Sequence, residues 1–287
     1  MNSTSRRIFP LLKPLSPLVL EPLKAVEQTA NSLSLPYFLA GATARDLVLE
    51  NIFGRPPGKL TRDLDFGFVL SDLKQFENLK ATLISTGRFK ADRAIQRVLY
   101  QHSVDISVGV DLIPFGGIQD GSLISWPPHN DFVMNVTGFR DALESAIQVQ
   151  VDTDLVIPVA SLPGLIILKL FAWADRKHEK RDAPDILKIL ADYAGAGNED
   201  RLYADELPLL EAAGFDVPIA GARLLGKDAR HIASPETSAN IAKMLADPNL
   251  QRELLNQLVQ TSPRSDESFA DYCTLLLDNF QRGFTEG

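Results

Sequence analysis

The spacing of apolar residues in the first forty positions predicts a helix followed by a strand. Residues 18–33 carry apolar side chains at helical intervals, on a stripe formed by Leu23, Val26, Ala30 and Leu33. Residues 36–40 are a short apolar run that ends at Gly41, which is typical of a buried strand followed by a turn. We therefore expect the first helix to pack against a sheet that includes this strand.

Similar patterns continue to about residue 159 and predict a sheet with flanking helices. Asp72 is a suitable N-cap for a helix that extends to about Thr86 and is closed by Gly87. The later strand-like runs are residues 95–102, residues 109–115 and parts of residues 132–159. The first part of the chain therefore mixes strands and helices.

Beyond residue 160 the pattern is helical. Residues 162–176 are rich in Leu, Ile and Phe and predict a buried helix, and a second helix starts at about Asp182. After residue 195, Ala-rich and Leu-rich segments are separated by Gly and Pro. The whole pattern predicts an α+β protein with one domain over residues 1–160 and a helical domain over residues 161–287.

Two carboxylates stand two residues apart in a predicted strand, in the run TRDLDF at residues 61–66. Because successive side chains of a strand point to opposite faces, Asp63 and Asp65 project to one side, and Leu64 and Phe66 point into a core. Two neighbouring carboxylates repel each other, and a bound Mg²⁺ removes that cost. The alternative is a solvent-exposed strand face that binds no metal.

The segment before these carboxylates has features of an anion site. Residues 42–51 have a helical pattern, so Gly41 stands at a strand-to-helix junction. The free backbone N–H groups at a helix start, together with the helix dipole, attract phosphate groups. Gly41 allows a close approach of the backbone, and Thr43 adds a hydroxyl donor. The alternative is a simple turn glycine.

These two motifs together resemble the polymerase-β nucleotidyltransferase superfamily. G-x-x-x-R-D at residues 41–46 is followed by R-D-L-D-F at residues 62–66, and the superfamily signature is a Gly-Ser or Gly-Gly turn followed by D-x-D. The resemblance implies that Asp63 and Asp65 are catalytic and bind Mg²⁺, or alternatively Mn²⁺. It also implies nucleotide contacts from Gly41, Ala42, Thr43 and Arg45. Ala42 replaces the serine of many members, so that serine contact to phosphate is absent or passes to the neighbouring threonine.

Asp111 is the only charged residue in the apolar run of residues 110–116. An ionised carboxylate in such a strand is costly unless it is paired or bound to metal. The resembled enzymes have a third catalytic carboxylate on a strand beside the D-x-D strand, which assigns a catalytic and metal-binding role to Asp111. Asp105 has the same strand parity and is the alternative. An ion pair with an arginine is the other interpretation of Asp111.

Lys169 and Arg176 share one face of the predicted helix over residues 162–176. A lysine among apolar residues is costly unless its ammonium meets an anion or reaches solvent along its own stem. A basic cluster follows, and then Asp182 and Asp185 lie on one face of the next helix.

The order of K-x(6)-R, a basic loop and R-D-x-x-D is similar to the later motifs of the AbiEii and MenT nucleotidyltransferases, which are toxins of bacterial toxin–antitoxin systems. The similarity extends over about residues 37–193. It implies that Lys169 contacts the nucleotide phosphates, helped by Arg176 and Asp182, and that Asp185 is a further catalytic residue. Asp182 is the alternative for that catalytic role.

The resemblance implies a polymerase-β-like mixed sheet with flanking helices, followed by a helical domain that closes over the active-site cleft. The predicted reaction moves a nucleoside monophosphate from an NTP to an RNA acceptor, with tRNA as the expected RNA, and a cognate antitoxin is the expected partner. One alternative is modification of a small molecule such as an antibiotic. Another is a non-catalytic nucleotide-binding module.

Composition limits these choices only slightly. The net charge of −8 argues against broad non-specific binding of nucleic acid, although it allows a local basic patch. A single cysteine, Cys273, excludes an internal disulfide and a cysteine-based zinc site. No apolar run approaches the length of a membrane span, and we expect a cytoplasmic protein without membrane contact.

Overall fold

A computed structural model describes residues 7–58, 63–126, 133–264 and 266–286. Thr61 and Arg62, which flank the D-x-D motif, therefore lie outside the described residues. Contacts between Cα atoms divide the chain into two units. The first comprises Met1–Leu47 and Leu60–Ser161, and the second comprises Val48–Lys59 and Leu162–Gly287.

Every strand in the described ranges belongs to the first unit. In chain order they are β1 Ile8–Pro10, β2 Tyr37–Ala40, β3 Leu64–Leu70, β4 Phe89–Ala91, β5 Arg97–Gln101, β6 Ser107–Gly116, β7 Leu123–Ser125, β8 Val133–Asn135, β9 Ile147–Asp152 and β10 Leu155–Val159. Within the described residues, eight of them form one sheet in the order β1-β9-β10-β2-β3-β6-β5-β4, and β7 and β8 form a separate pair. The large sheet is mixed, since β3 is antiparallel to β2 and parallel to β6.

Four α-helices accompany these strands in the described part of the first unit, namely α1 Pro17–Ser32, α2 Gly41–Asp46, α3 Leu73–Ser85 and α4 Phe139–Glu144. The predicted apolar stripe of α1 is buried at Leu23, Val26 and Ala30, and the helix contacts β6 of the sheet. Asp72 caps α3 by accepting a hydrogen bond from the backbone N–H of Gln75 at 2.8 Å, as its position in the sequence predicts.

The core of the sheet contains the two apolar residues of the D-x-D strand. Leu64 and Phe66 are 1% and 0% exposed, which confirms the side of β3 that faces inward. Phe68 and Leu70 continue the same face of β3 and are also buried. The buried face of β3 therefore fixes which way its acidic residues point.

The second unit is helical throughout its described residues. A π-helical segment, Leu47–Ile52, leads into it, and a 3₁₀ turn, Lys177–Glu179, lies within it. Its α-helices are α5 Leu162–Arg176, α6 Ala183–Asp192, α7 Glu199–Tyr203, α8 Leu207–Ala212, α9 Val217–Ile232, α10 Pro235–Ala246, α11 Pro248–Gln260 and α12 Glu267–Glu286. A Cβ on Gly226 of α9 or on Gly283 of α12 would strike the backbone of the other helix, so these glycines let the two helices touch.

The predicted α+β class, with a mixed sheet, flanking helices and a helical C-terminal part, is confirmed. No helix in the described ranges combines the length and the hydropathy of a membrane span.

Candidate active site

Strand pairing brings two of the predicted catalytic carboxylates side by side. Asp65 on β3 is opposite Ala40 of β2 on one side and opposite Asp111 of β6 on the other. On the far side of β6, Arg97 of β5 is opposite Asp111. One row of paired positions therefore crosses four neighbouring strands. We refer to Asp63, Asp65 and Asp111 together as the carboxylate set.

Two independent features of the structure favour glycine at position 41. Its φ of +69° lies in the left-handed region, which residues with a side chain rarely adopt. In addition, a Cβ at Gly41 would collide with the carboxylate of Asp65. Since Gly41 is also the first residue of α2, the start of that helix lies directly beside the Asp65 carboxylate.

Asp63 lies just before β3, and its side chain is 48% exposed. Its carboxylate lies over Gly109 of β6, where a Cβ would come within 2.6 Å of Oδ1. The hydroxyl of Thr43 donates to the backbone carbonyl of Asp63 at 2.8 Å. Thr43 therefore anchors the D-x-D segment to α2, a role different from the predicted phosphate contact.

Asp111 is bound on both oxygens by Arg97. The Arg97 Nε donates to Oδ1 at 2.8 Å and Nη2 donates to Oδ2 at 2.6 Å. The same Nη2 lies 3.4 Å from Oδ2 of Asp63. The hydrogen bonds to Asp111, followed by the charges of the carboxylate set, raise the pKa of Arg97. The guanidinium therefore stays charged and compensates the negative charge of the site.

Arg97 was not identified as a candidate from the sequence, although a signal for it exists. The β5–β6 hairpin pairs Gln101 with Ser107 and Arg97 with Asp111, so its pairs are symmetric about Val104. Counting equal steps from Val104 finds Arg97 opposite Asp111. The alternative carboxylate, Asp105, lies in the exposed segment between these strands and outside the row of paired positions.

The remaining nucleotide-binding candidates of the first unit are on α2. Ala42 is its second residue and is half-buried. Arg45 is only 1% exposed, and its Nε and Nη2 donate to Asp46 Oδ1 at 2.8 and 2.5 Å. The Arg45 guanidinium therefore lies in the interior beside Asp46, and its contact with phosphate stays a prediction.

The predicted residues of the second unit form one charged network between α5 and α6. Lys169 Nζ lies 3.1 Å from Asp182 Oδ1 and 2.6 Å from Asp185 Oδ2. Arg176 donates to both oxygens of Asp182, at 2.8 and 2.9 Å. With a side chain only 13% exposed, Lys169 meets its anions inside the unit and does not extend into solvent.

Asp182 is the centre of this network and is 2% exposed. Burial alone raises its pKa, but the hydrogen bond from Arg176 and the charges of Lys169 and Arg176 outweigh that effect, so the pKa of Asp182 is lowered. The carboxylate is therefore held in its charged form, and it fixes the two cationic side chains in turn.

The carboxylate set fits a divalent metal in its chemistry but not in its present arrangement. Carboxylate oxygens are the ligands that Mg²⁺ and Mn²⁺ prefer, and Asp65 and Asp111 are neighbours on paired strands. In the described part of the chain, however, no three His, Cys, Asp or Glu side chains are grouped so that they could hold a metal ion. Both oxygens of Asp111 are engaged by Arg97 instead.

Some solved structures resemble this chain weakly. An antigenic nucleotidyltransferase-like protein from Paracoccidioides brasiliensis is 17% identical, with 70% of this chain and 94% of that chain covered and a TM-score of 0.41. The lincosamide antibiotic adenylyltransferase LnuA with bound lincomycin is 17% identical, with 54% and 86% covered and a TM-score of 0.33. The Thermotoga maritima CCA-adding enzyme complexed with tRNA is 11% identical, with 96% and 81% covered and a TM-score of 0.26.

These similarities are too weak to indicate a substrate, and no curated protein matches the sequence significantly. The model of one protein family, described as nucleotidyl transferase AbiEii toxin, type IV toxin–antitoxin system, does match, over residues 28–271. That span includes the carboxylate set and the network around Asp182, and it confirms the resemblance that the motifs indicate. The chain therefore belongs to the AbiEii nucleotidyltransferase toxin family and is a nucleotidyltransferase.

Proposed function

We propose that the chain moves a nucleoside monophosphate from an NTP to RNA, with tRNA as the expected acceptor, and that it acts in the cytoplasm as the toxin of a toxin–antitoxin pair. Membership of the family shows the class of reaction, and the description of the family as a toxin supports the proposed role. The observation that carries the choice of site is the position of Asp65, between Asp111 and the first residue of α2.

The start of α2 is the proposed binding site for the phosphates of the NTP. The first N–H groups of a helix have no partners within the helix, and the first residue of α2, Gly41, lies next to Asp65. Because Gly41 has no side chain, the Asp65 carboxylate packs directly against its backbone, and the positive end of the helix dipole favours an anion at the start of the helix. These donors would orient the phosphate chain relative to the carboxylates.

Asp63 and Asp65 would hold Mg²⁺ or Mn²⁺, with Asp111 as the third ligand. A metal held by these residues would neutralise the triphosphate and lower the pKa of an attacking hydroxyl. We also assign to Asp111 the role of accepting the proton of that hydroxyl, once its oxygens are released from Arg97. The side chain of Asp63 is 48% exposed and that of Asp111 is 14% exposed, so Asp63 is the more accessible of the two to an incoming nucleotide.

The network of the second unit would supply further charge. Asp182 holds Lys169 and Arg176 in fixed positions, and we assign to Lys169 the neutralisation of nucleotide phosphate. Asp185 accepts a contact from Lys169 as well and remains the proposed further catalytic residue.

Incubation with each α-labelled NTP, Mg²⁺ and total bacterial RNA tests the proposal. We expect one NTP to label RNA, and we expect the label to disappear in excess chelator and in the Asp65→Asn variant. Asp105→Asn is the matched control, since it removes an exposed carboxylate outside the row and should keep the activity.

Two other results would replace the proposed acceptor or reaction. Labelling of a small molecule such as an antibiotic, without labelling of RNA, would make the small molecule the acceptor. The absence of turnover with every NTP and acceptor would indicate a non-catalytic nucleotide-binding module.

A further inference from the structure

One guanidinium contacts two of the three proposed metal ligands. Arg97 binds both oxygens of Asp111, at 2.8 and 2.6 Å, and lies 3.4 Å from Asp63. Gly109 leaves room for this arrangement, because a Cβ there would come within 2.6 Å of the Asp63 carboxylate and 3.5 Å of Arg97 Nη1. The arginine therefore belongs to the site and occupies part of the space that a metal needs.

A divalent cation and this guanidinium compete for the same oxygens. Two positive groups on one half-buried carboxylate repel each other, and the side chain of Asp111 is only 14% exposed. Without either cation, neighbouring carboxylates repel one another. The negative charge of the site is therefore neutralised either by a metal ion or by the guanidinium of Arg97.

Arg97 is the partner that can move. Its side chain is 31% exposed and long, whereas Asp111 has a short side chain fixed on a strand that pairs on both sides. Rotation of the arginine toward solvent would free both oxygens of Asp111 without any change in the sheet.

We infer that Arg97 is a displaceable counter-ion, which neutralises Asp111 and Asp63 in the metal-free protein and leaves them when Mg²⁺ or Mn²⁺ binds. The inference rests on the proposed function, because that function makes the carboxylate set a metal site. It adds that the metal affinity depends on a residue that is not a ligand.

Direct binding of Mn²⁺, measured by calorimetry and by the loss of the free Mn²⁺ EPR signal, tests this role. Arg97→Gln keeps a polar side chain and deletes the charge. We expect it to bind Mn²⁺ about tenfold or more tightly than wild type, since the metal no longer displaces charge-assisted hydrogen bonds. Arg88→Gln is the matched control with the same change of net charge, because Arg88 donates to the hydroxyl of Tyr100 instead, and it should bind Mn²⁺ as wild type does.

Thermal unfolding gives a second readout. Arg97→Gln should unfold at a lower temperature than wild type without metal, and Mn²⁺ should raise its midpoint more than it raises that of wild type. If Arg97→Gln does not fold, Arg97→Lys replaces it, because lysine keeps the charge but cannot hold both oxygens in a planar fork. We expect Arg97→Lys to bind Mn²⁺ with an affinity between those of wild type and a variant without charge.

The outcomes separate the inference from the proposed function. Equal or weaker Mn²⁺ binding by the Arg97 variants, together with weakened binding by Asp65→Asn, would overturn the inference and leave the proposed metal site in place. Wild-type protein that binds no Mn²⁺, or that binds it no better than Asp65→Asn does, would overturn both.

Discussion

Asp65 is the residue with the most constrained surroundings in the site. A backbone without a side chain lies on one side of it, at Gly41, and a second carboxylate, Asp111, is its partner on the other side. Arg97 binds Asp111, and its charge also acts on Asp65. We propose that Asp65 is a ligand for a cation, because its carboxylate lies between a second carboxylate and the start of a helix.

Replacement of Asp65 by asparagine should therefore remove activity but not the fold. We expect transfer to fall on the order of 100-fold or more, because a metal ligand and its charge are lost. Repulsion within the carboxylate set decreases, so the free energy of unfolding should stay the same or rise. Transfer of labelled NTP and urea denaturation measure the two effects, and near-wild-type turnover would remove Asp65 from the mechanism.

Gly41 gives a second prediction at this scale. Gly41→Ala should lower the free energy of unfolding by about 1–3 kcal/mol, since alanine is strained at a positive φ and its Cβ meets Asp65. Transfer should fall as well, because Asp65 has to move. Gly87→Ala is the matched control: Gly87 has a φ of +76°, yet its Cβ would meet no atom within 4 Å. That variant should lose only about 1 kcal/mol of stability and keep its activity, as urea denaturation and transfer assays can establish.

At the scale of elements, α5 and α6 are held together by opposite charges at their facing surfaces. The carboxylates of Asp182 and Asp185 enclose the ammonium of Lys169, and Arg176 completes the pairing of Asp182. Removing one member of such a buried network leaves its partners unsatisfied, which costs more than the network contributes as a whole.

Lys169→Met tests how much of this network serves function. Methionine keeps the apolar stem but leaves Asp182 and Asp185 without the ammonium, so the free energy of unfolding should fall by about 1–3 kcal/mol. If Lys169 neutralises phosphate, the rate of nucleotide transfer should fall by a larger factor than the fraction of folded protein does. Assays at a temperature where the variant is fully folded separate the two effects, and a folded variant with full activity would make α5 a structural helix.

The pH dependence of stability tests Asp182. A carboxyl whose pKa is lowered on folding stabilises the fold above its pKa in the unfolded chain, about 3.9, and this contribution is lost as the pH falls toward the folded value. Wild type should therefore lose stability as the pH falls below about 4. Asp182→Asn should be less stable at neutral pH by about 3–5 kcal/mol and should lose less on acidification. Urea denaturation between about pH 6 and pH 3 measures both, and the exposed Asp278→Asn variant should stay within about 0.5 kcal/mol of wild type at neutral pH.

Local patterns predicted most of the elements but not the pairing between distant ones. The helix over residues 162–176 and the cap at Asp72 depend on residues that are close in sequence. The helix has the predicted bounds, and the cap is at the predicted residue. Strand β1 pairs with β9 across more than a hundred residues, and nothing local indicates that pairing. The burial of Arg45 likewise depends on how α2 leaves the sheet. The contact of Arg97 with Asp111 could have been predicted from the sequence, because the turn of a hairpin fixes the register of its two strands.

At the scale of the whole molecule, the net charge of −8 limits how an RNA could bind. Two basic side chains of α9 are already paired, Arg223 with Glu286 and Lys227 with Glu206. An acidic protein gains little non-specific attraction for RNA, so recognition of an acceptor has to come from local contacts. Such a protein would modify few RNA species and not RNA in general.

The proposed toxin role concerns the whole molecule and can be tested by expression in a bacterial host. Induced expression of the wild-type chain in a bacterial host should arrest growth, because a few modified RNA species, such as tRNAs, are enough to stop translation. Asp65→Asn, expressed to the same level of soluble protein, should leave growth unchanged, since its fold is intact and its site lacks a ligand. RNA from the arrested cells should no longer accept label from purified enzyme and NTP, whereas RNA from cells with the variant should still accept it. Normal growth with active wild-type enzyme at equal levels would contradict the toxin role while leaving the transferase activity in place.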